Sequence, residues 1–155
     1  MSFRITGLEY QPFAHLFGAN DETLARHNAK RYVADDKPGF PCRVTLEDAE
    51  PGETLLLVPY AHQTSETAYA SKGPIFIRER QAPTAEIVDA IPAQLQVRLI
   101  SLRAYDDKGM MRDADVVDGK ALKPLIERLF ANDEVAYLHA HFARRGCYAA
   151  RIERA

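Results

Sequence analysis

The sequence predicts an α+β fold: one largely antiparallel sheet, open or barrel-like, finished by a C-terminal β-hairpin and backed by one amphipathic helix. Three observations predict it. Short runs of β-branched, aromatic and aliphatic residues recur between turn signals along the 155 residues. Two pairs of these runs close on glycine-containing turns, about Asp107-Lys108-Gly109 and Arg145-Gly146. A single stretch, Lys120 to Ala131, carries a sustained helical stripe, with Leu122, Leu125, Ile126, Leu129 and Phe130 at i, i+3, i+4, i+7 and i+8. Few and unevenly spaced helices among many strands are the mark of this class.

In chain order, Phe3 to Leu8 alternates weakly and reads as a first strand. Asn20-Asp21-Glu22 starts a short helix reaching about Asn28: a cap residue followed by acids that suit the helix N-terminus. Arg31 to Ala34 is a strand stopped by Asp35-Asp36-Lys37-Pro38-Gly39. A residue before proline is pushed to extended geometry, and Phe40-Pro41 is a position where a cis bond is open but not the default. Val44 to Leu46 reads as a strand closed by Glu50-Pro51-Gly52-Glu53. Thr54 to Tyr60 is almost continuously apolar, the pattern of a strand buried on both faces, with Pro59 marking its end or an edge. Ala61 to Gly73, holding His62, Ser65, Thr67 and Tyr69, is polar and unpatterned and reads as a loop. Pro74 to Arg78 is a strand, and Gln81 to Ala93 is irregular with room for one helical turn.

Val97 to Tyr105 and Met110 to Val117 form the first hairpin. A bulged turn pairs Tyr105 with Met111, Arg103 with Asp113 and Ser101 with Asp115. Pro124 belongs in the first turn of the Lys120 helix, where its missing N–H does least harm. The second hairpin joins Val135–Ala143 to Cys147–Arg154, with Gly146 in the left-handed position of a three-residue loop. That register pairs Ala143 with Cys147, His141 with Ala149 and His139 with Arg151. It gathers His139, His141, Cys147 and Arg151 on one face, an arrangement that a slip of one residue would undo.

Composition bounds the function. The chain is 46% hydrophobic and 27% charged with a formal net charge of −2, ordinary for one globular domain spanning residues 1–155. A pI near 6.2 argues against nucleic-acid and membrane-surface partners. Two cysteines, Cys42 and Cys147, are too few for a disulfide framework, and the N-terminus has no signal-peptide pattern, so a cytoplasmic protein with reduced thiols is expected. Pairing of the two with each other depends on a separation that sequence does not give. There is no P-loop, Rossmann glycine fingerprint, paired CxxC or G-x-S-x-G. The cofactor is left unknown by the sequence.

Four blocks stand out: ADDKPGFPCRVTLEDAEPGETLLLVPYAH (Ala34–His62), GPIFIRE (Gly73–Glu79), SLRAYDDKGMMRDADVV (Ser101–Val117) and AYLHAHFARRGCYAARIER (Ala136–Arg154). Together they resemble a bacterial family known as domain-of-unknown-function family 1203, over nearly the whole chain. The resemblance implies a compact single domain and brings no activity, ligand or catalytic residue with it.

The residues themselves offer three chemistries. His139 and His141, two apart on a strand, have Cβ atoms about 6.6 Å apart on one face. Both rings can then converge on a metal at about 2.0–2.1 Å, with Asp113 or Asp115 as third ligand if the hairpins adjoin. Against this stands the ordinary case of histidines lining a polar face. Cys147 with His141 as its base, or Cys42 beside Arg43, would make an activated thiolate, against the commoner inert buried thiol. Arg103, Arg151 and Arg43 can fork onto a carboxylate or phosphate, whereas Arg144 and Arg145 at a hairpin tip suit solvent. The leading expectation is a small anionic molecule held by Arg103 and Arg151, with acid–base chemistry by His139 or His141. The alternatives are a non-catalytic interaction module or homodimer, and a metal-binding protein using His139 and His141.

Overall fold

Alternation along the strands sorts the side chains of a six-stranded sheet onto two unlike faces, one apolar and one rich in histidine, tyrosine and arginine. The computed structural model describes residues 1–155. Its strands are β1 (Phe3–Thr6), β2 (Lys30–Val33), β3 (Thr54–Gln63), β4 (Ser71–Arg78), β5 (Glu86–Val88), β6 (Leu99–Tyr105), β7 (Met111–Asp118), β8 (Tyr137–Phe142) and β9 (Tyr148–Arg154). The helices are α1 (Asp21–Arg26), α2 (Ala93–Gln96) and α3 (Leu122–Phe130). The larger sheet runs β5-β1-β9-β8-β6-β7 and the smaller β2-β3-β4; every pairing is antiparallel. The strands make a single compact domain, and the larger sheet stays open, with β5 and β7 at its edges. No helix is long and apolar enough to cross a membrane.

The apolar face is the main core. Ile100, Leu102 and Ala104 of β6 and Leu138, Ala140 and Phe142 of β8 meet the predicted stripe of α3. Pro124 sits in the first turn, as expected. Gly119, just before the helix, lies so close to α2 that a Cβ there would come within 1.7 Å of the Leu95 carbonyl oxygen. The far end of α3 is tied to β9 by Arg154, which donates to the carbonyls of Phe130, Asn132 and Val135 at 2.5–3.1 Å. The second core lies under the smaller sheet: Leu56 and Val58 of β3 and Ile75 and Ile77 of β4 pack with Phe13, Leu16 and Leu24, and Tyr148 reaches it from β9. Asn20 caps α1 by accepting from the Thr23 N–H at 2.8 Å.

Several local expectations are corrected. Val44–Leu46 is a turn, not a strand, with Leu46 at φ 54°; the carbonyls of Arg43 and Val44 instead accept from Leu8 and Ala85. The cis bond is Lys37-Pro38. β5 forms within the stretch read as irregular, and the helical turn α2 starts only at its last residue, Ala93. The most consequential change is in β3, which does not stop at Pro59 but continues to Gln63. β2 ends opposite Leu57, and Pro59 lies beyond it facing Pro74, at an edge where proline is tolerated. Tyr60 and His62, read as the end of a strand and the start of a loop, thereby continue the inward face of Leu56 and Val58.

Candidate functional site

Both predicted hairpins form, but each contains a bulge that changes what shares a face. In the second, the loop is one residue longer than expected: Phe142 donates to the Cys147 carbonyl and Gly146, at φ +81°, donates to Phe142. An extra residue in β9 then restores the register. His141 therefore faces Tyr148 rather than Ala149, while His139 faces Arg151 as predicted. Tyr148 joins the histidine face. Ala149 and Ala150 both turn to the core, and Cys147, opposite Phe142, turns there too. Cys147 is thus not on the face that carries His141, and the expected thiol–imidazole arrangement is absent; Cys42 is fully buried, and both thiols are free.

In the first hairpin Tyr105 does face Met111, but the register shifts by one between Ala104 and Tyr105. Asp113 then faces Ala104 and Asp115 faces Leu102. Both carboxylates leave the predicted face for the side of α3, where Asp115 accepts from Arg128 at 2.7 Å. They are removed from any site built on the histidines. The two hairpins do adjoin, because β6 pairs with β8 and sets Arg103 beside His139 and Ser101 beside His141.

The face so assembled runs Ser101, Arg103 and Tyr105 on β6, His141, His139 and Tyr137 on β8, and Tyr148 and Arg151 on β9. Onto it the end of β3 lowers His62. The His62 ring lies 4.8 Å from that of His141 and 6.2 Å from that of His139, and stacks on Tyr148 at 5.6 Å with the planes 15° apart. Gln63 reaches the Tyr137 hydroxyl at 2.9 Å. Tyr105 stacks on Tyr137, and Tyr69 covers it edge-on. Of these residues only His139, His141, Arg103 and Arg151 were expected at a site. His62 and Tyr60 become legible once the alternation Val58-Tyr60-His62 is carried through Pro59.

The electrostatics follow from burial among cations. His139 is 2% exposed and His141 fully buried. Burial first, then neighbouring imidazoles and the charges of Arg151 and Arg103, pushes His139 down to about 3. Burial also pushes His141 to about 4, with Arg103, His62 and Arg43 adding to it against the opposing hydrogen bond that His141 donates to the Gly146 carbonyl. His62 is lowered too, by burial and by Arg103. All three imidazoles are therefore neutral at pH 7. The ring Nδ1 of His141 lies 3.0 Å from the Gly146 carbonyl oxygen. A carbonyl only accepts, so Nδ1 carries the proton and Nε2 is left with a lone pair. That Nε2, with Nδ1 of His62 and Nδ1 of His139, is buried without a hydrogen-bond partner. Tyr148 is raised by burial and stays a neutral phenol.

The arginines divide. Arg43 is 1% exposed and spent on the chain itself: it donates to the carbonyls of Tyr148 and Pro41 and to Cys147 Sγ at 3.0 Å, and lies against Phe142. Burial lowers it to about 10. Buried, and with each of its three nitrogens already bonded within the chain, it is not placed for the ligand role predicted for it. Arg151 lies over Tyr137 at 4.0 Å and is paired with Glu153. Arg103 enters none of the ion pairs of the molecule, and touches Tyr105 instead. Arg144 and Arg145 are exposed at the hairpin tip.

No group of three or more His, Cys, Asp or Glu side chains is arranged to hold a metal ion. Two clefts of about 390 and 360 Å³ both run along Gln81–Thr84, away from the histidines and lined by no cysteine or imidazole.

The model of a family described as "protein of unknown function (DUF1203)" matches residues 39–154, which include β3, β4 and β6 to β9 and so every residue of the histidine face. Comparison with curated proteins and with solved structures finds no match.

Proposed function

The chain belongs to the DUF1203 family, whose description assigns no activity, and from the site itself we propose that it binds a small anionic molecule on the histidine face, with His141 as a base toward it. The observation that supports this is the unpaired Arg103 guanidinium set among three neutral imidazoles whose inward nitrogens have no partner in the protein. A half-buried cation without a counter-ion is costly unless an anion completes it. Neutral imidazoles beside it add hydrogen bonds without adding charge. The tautomer fixed by the Gly146 carbonyl leaves His141 Nε2 with a lone pair and no partner in the protein, the state a general base requires.

The test is calorimetric titration of untagged protein with inorganic phosphate and with simple carboxylates, beside Arg103→Leu. Binding that falls at least tenfold in the variant, with its fold intact, supports the reading. Equal binding by both proteins, or stoichiometric metal in the untagged protein that is lost in His139→Ala/His141→Ala, overturns it.

A second reading, an interaction module or homodimer, is favoured by β7. This eight-residue edge strand is exposed along most of its length and leaves one side of its backbone unpaired. Sedimentation at high concentration decides it.

A further inference from the structure

The histidine face does not end at the histidines. Two strands away from His141, on the same side of the sheet, lies Val116, because His141 faces Ser101 and Ser101 faces Val116. In the next row His139 faces Arg103 and Arg103 faces Ala114. Leu99 continues that side of β6. Val116 is 51% exposed, Leu99 42%, and Ala114 is exposed as well. The smaller sheet and the Thr64–Ala70 loop cover the Tyr148 and Tyr105 ends of the face, the loop by Tyr69 on Tyr105 and by Thr67 on the Gly109 carbonyl. They leave this shelf open. It spans the two neighbouring strands β6 and β7, is lined by Leu99, Ala114 and Val116 with Ser101 between them and Asp118 at its far end facing Leu99, and is bordered by the one guanidinium of the face that has no acid partner.

We infer that the ligand is an amphipathic monocarboxylate, its head on Arg103 and its alkyl or aryl body on the shelf of Leu99, Ala114 and Val116. The inference rests on the anion-binding reading above and adds the substrate class to it. One free guanidinium matches one negative charge, and its planar fork fits a carboxylate. Arg151, already neutralised by Glu153, leaves no second cation for a dianion. An apolar surface beside that fork adds affinity with each methylene laid on it, about fourfold for a fully buried one and less on an open shelf.

The experiment titrates the protein with acetate, hexanoate, benzoate and inorganic phosphate, and repeats the series with Leu99→Ser/Val116→Ser. Both positions are exposed, so the variant keeps the fold, which its unfolding temperature verifies. The expected result is hexanoate and benzoate about tenfold tighter than acetate, with this advantage lost in the variant and acetate unchanged. Acetate as tight as hexanoate, an advantage that survives in the variant, or phosphate bound in preference to every carboxylate overturns the inference while leaving the anion site standing. No binding of any of the four removes the anion site and the shelf's ligand with it. A dimer in sedimentation that the variant converts to monomer assigns the shelf to a second copy of the chain and overturns the inference as well.

Discussion

The two faces of the six-stranded sheet are built from the same strands and obey opposite rules. On the α3 side, Leu102, Ala140, Leu138 and Ile152 are buried without a polar atom to satisfy, and stability comes from removing hydrocarbon from water and filling space. On the other side, His139 and His141 are buried as deeply as those aliphatic residues, yet ring nitrogens of both are unpartnered. Burying an unsatisfied polar group costs free energy. Equal burial therefore has opposite sign on the two faces, and a face that costs stability is where a ligand has something to gain. Stability should respond mainly to changes on the α3 face, and ligand affinity to changes on the histidine face.

The largest break in that comparison is on the apolar side. Ile126 is fully buried between α3 and the sheet. Ile126→Ala should destabilise by about 2–5 kcal/mol in urea unfolding. Anion binding at a temperature where the variant remains folded should stay within twofold, because no residue of the histidine face touches the cavity so made. A comparable loss of binding would mean that the two faces are not independent.

Acid comes next. His139 and His141 are pushed far below their ordinary 6.5 by burial among His62, Arg103, Arg151 and Arg43. The unfolded chain takes up protons near pH 6.5, the folded one only near 3 to 4. Stability is therefore full above pH 6.5 and lost as pH falls toward 4, by at most about 1.4 kcal/mol per pH unit for each histidine. Urea unfolding at pH 7.5 and 4.5 should differ by up to about 5 kcal/mol, and His139→Gln/His141→Gln should flatten most of that slope. A slope unchanged in the double variant would assign the acid sensitivity to other groups, such as the paired carboxylates Glu53 and Glu79, whose lowered values give the same sign but at lower pH.

Third in size is Arg103 itself, whose effect should separate the two properties. Arg103→Leu removes a half-buried charge with no counter-ion, so stability should hold or rise by about 0.5–1 kcal/mol, while carboxylate binding falls at least tenfold. A variant that lost both would make Arg103 a structural residue.

The sequence carried some of this and concealed the rest for identifiable reasons. The α3 stripe, the two hairpins, and Arg103, His139, His141 and Arg151 were legible because period and turn chemistry are local. The neighbourhood of His62 was not, because Pro59 reads as a stop, and only the early end of β2 opposite Leu57 shows why β3 runs past it. The faces of Cys147, Asp113 and Asp115 were misread for a third reason. Each hairpin has one bulged residue, and a strand's side-chain period of two turns such a one-residue change into a change of face. Far from the bulge the predicted pair His139–Arg151 stands; on its other side the predicted pair His141–Ala149 does not. Arg43 was misread because its sequence neighbours say nothing about the Tyr148 carbonyl, 105 residues away, that fixes it.

The bulge in the first hairpin gives the smallest and most diagnostic prediction. Asp115 is half exposed and paired with Arg128 across the α3 side, so Asp115→Asn should cost only about 0.2–1 kcal/mol, and less at high salt. Its effect on ligand affinity should be nil at every salt concentration, since the carboxylate and the histidine face lie on opposite sides of the sheet. In the unbulged register Asp115 would sit beside Ser101 on the histidine face. Its removal would then raise affinity for an anion several-fold and lower the proton affinity of His141, both effects growing as salt falls. Titration of acetate into wild type and Asp115→Asn therefore reads the register of β6 and β7 directly: unchanged binding places the aspartate with α3, and tighter binding places it with the histidines and removes the electrostatic basis on which Arg103 was called unpaired.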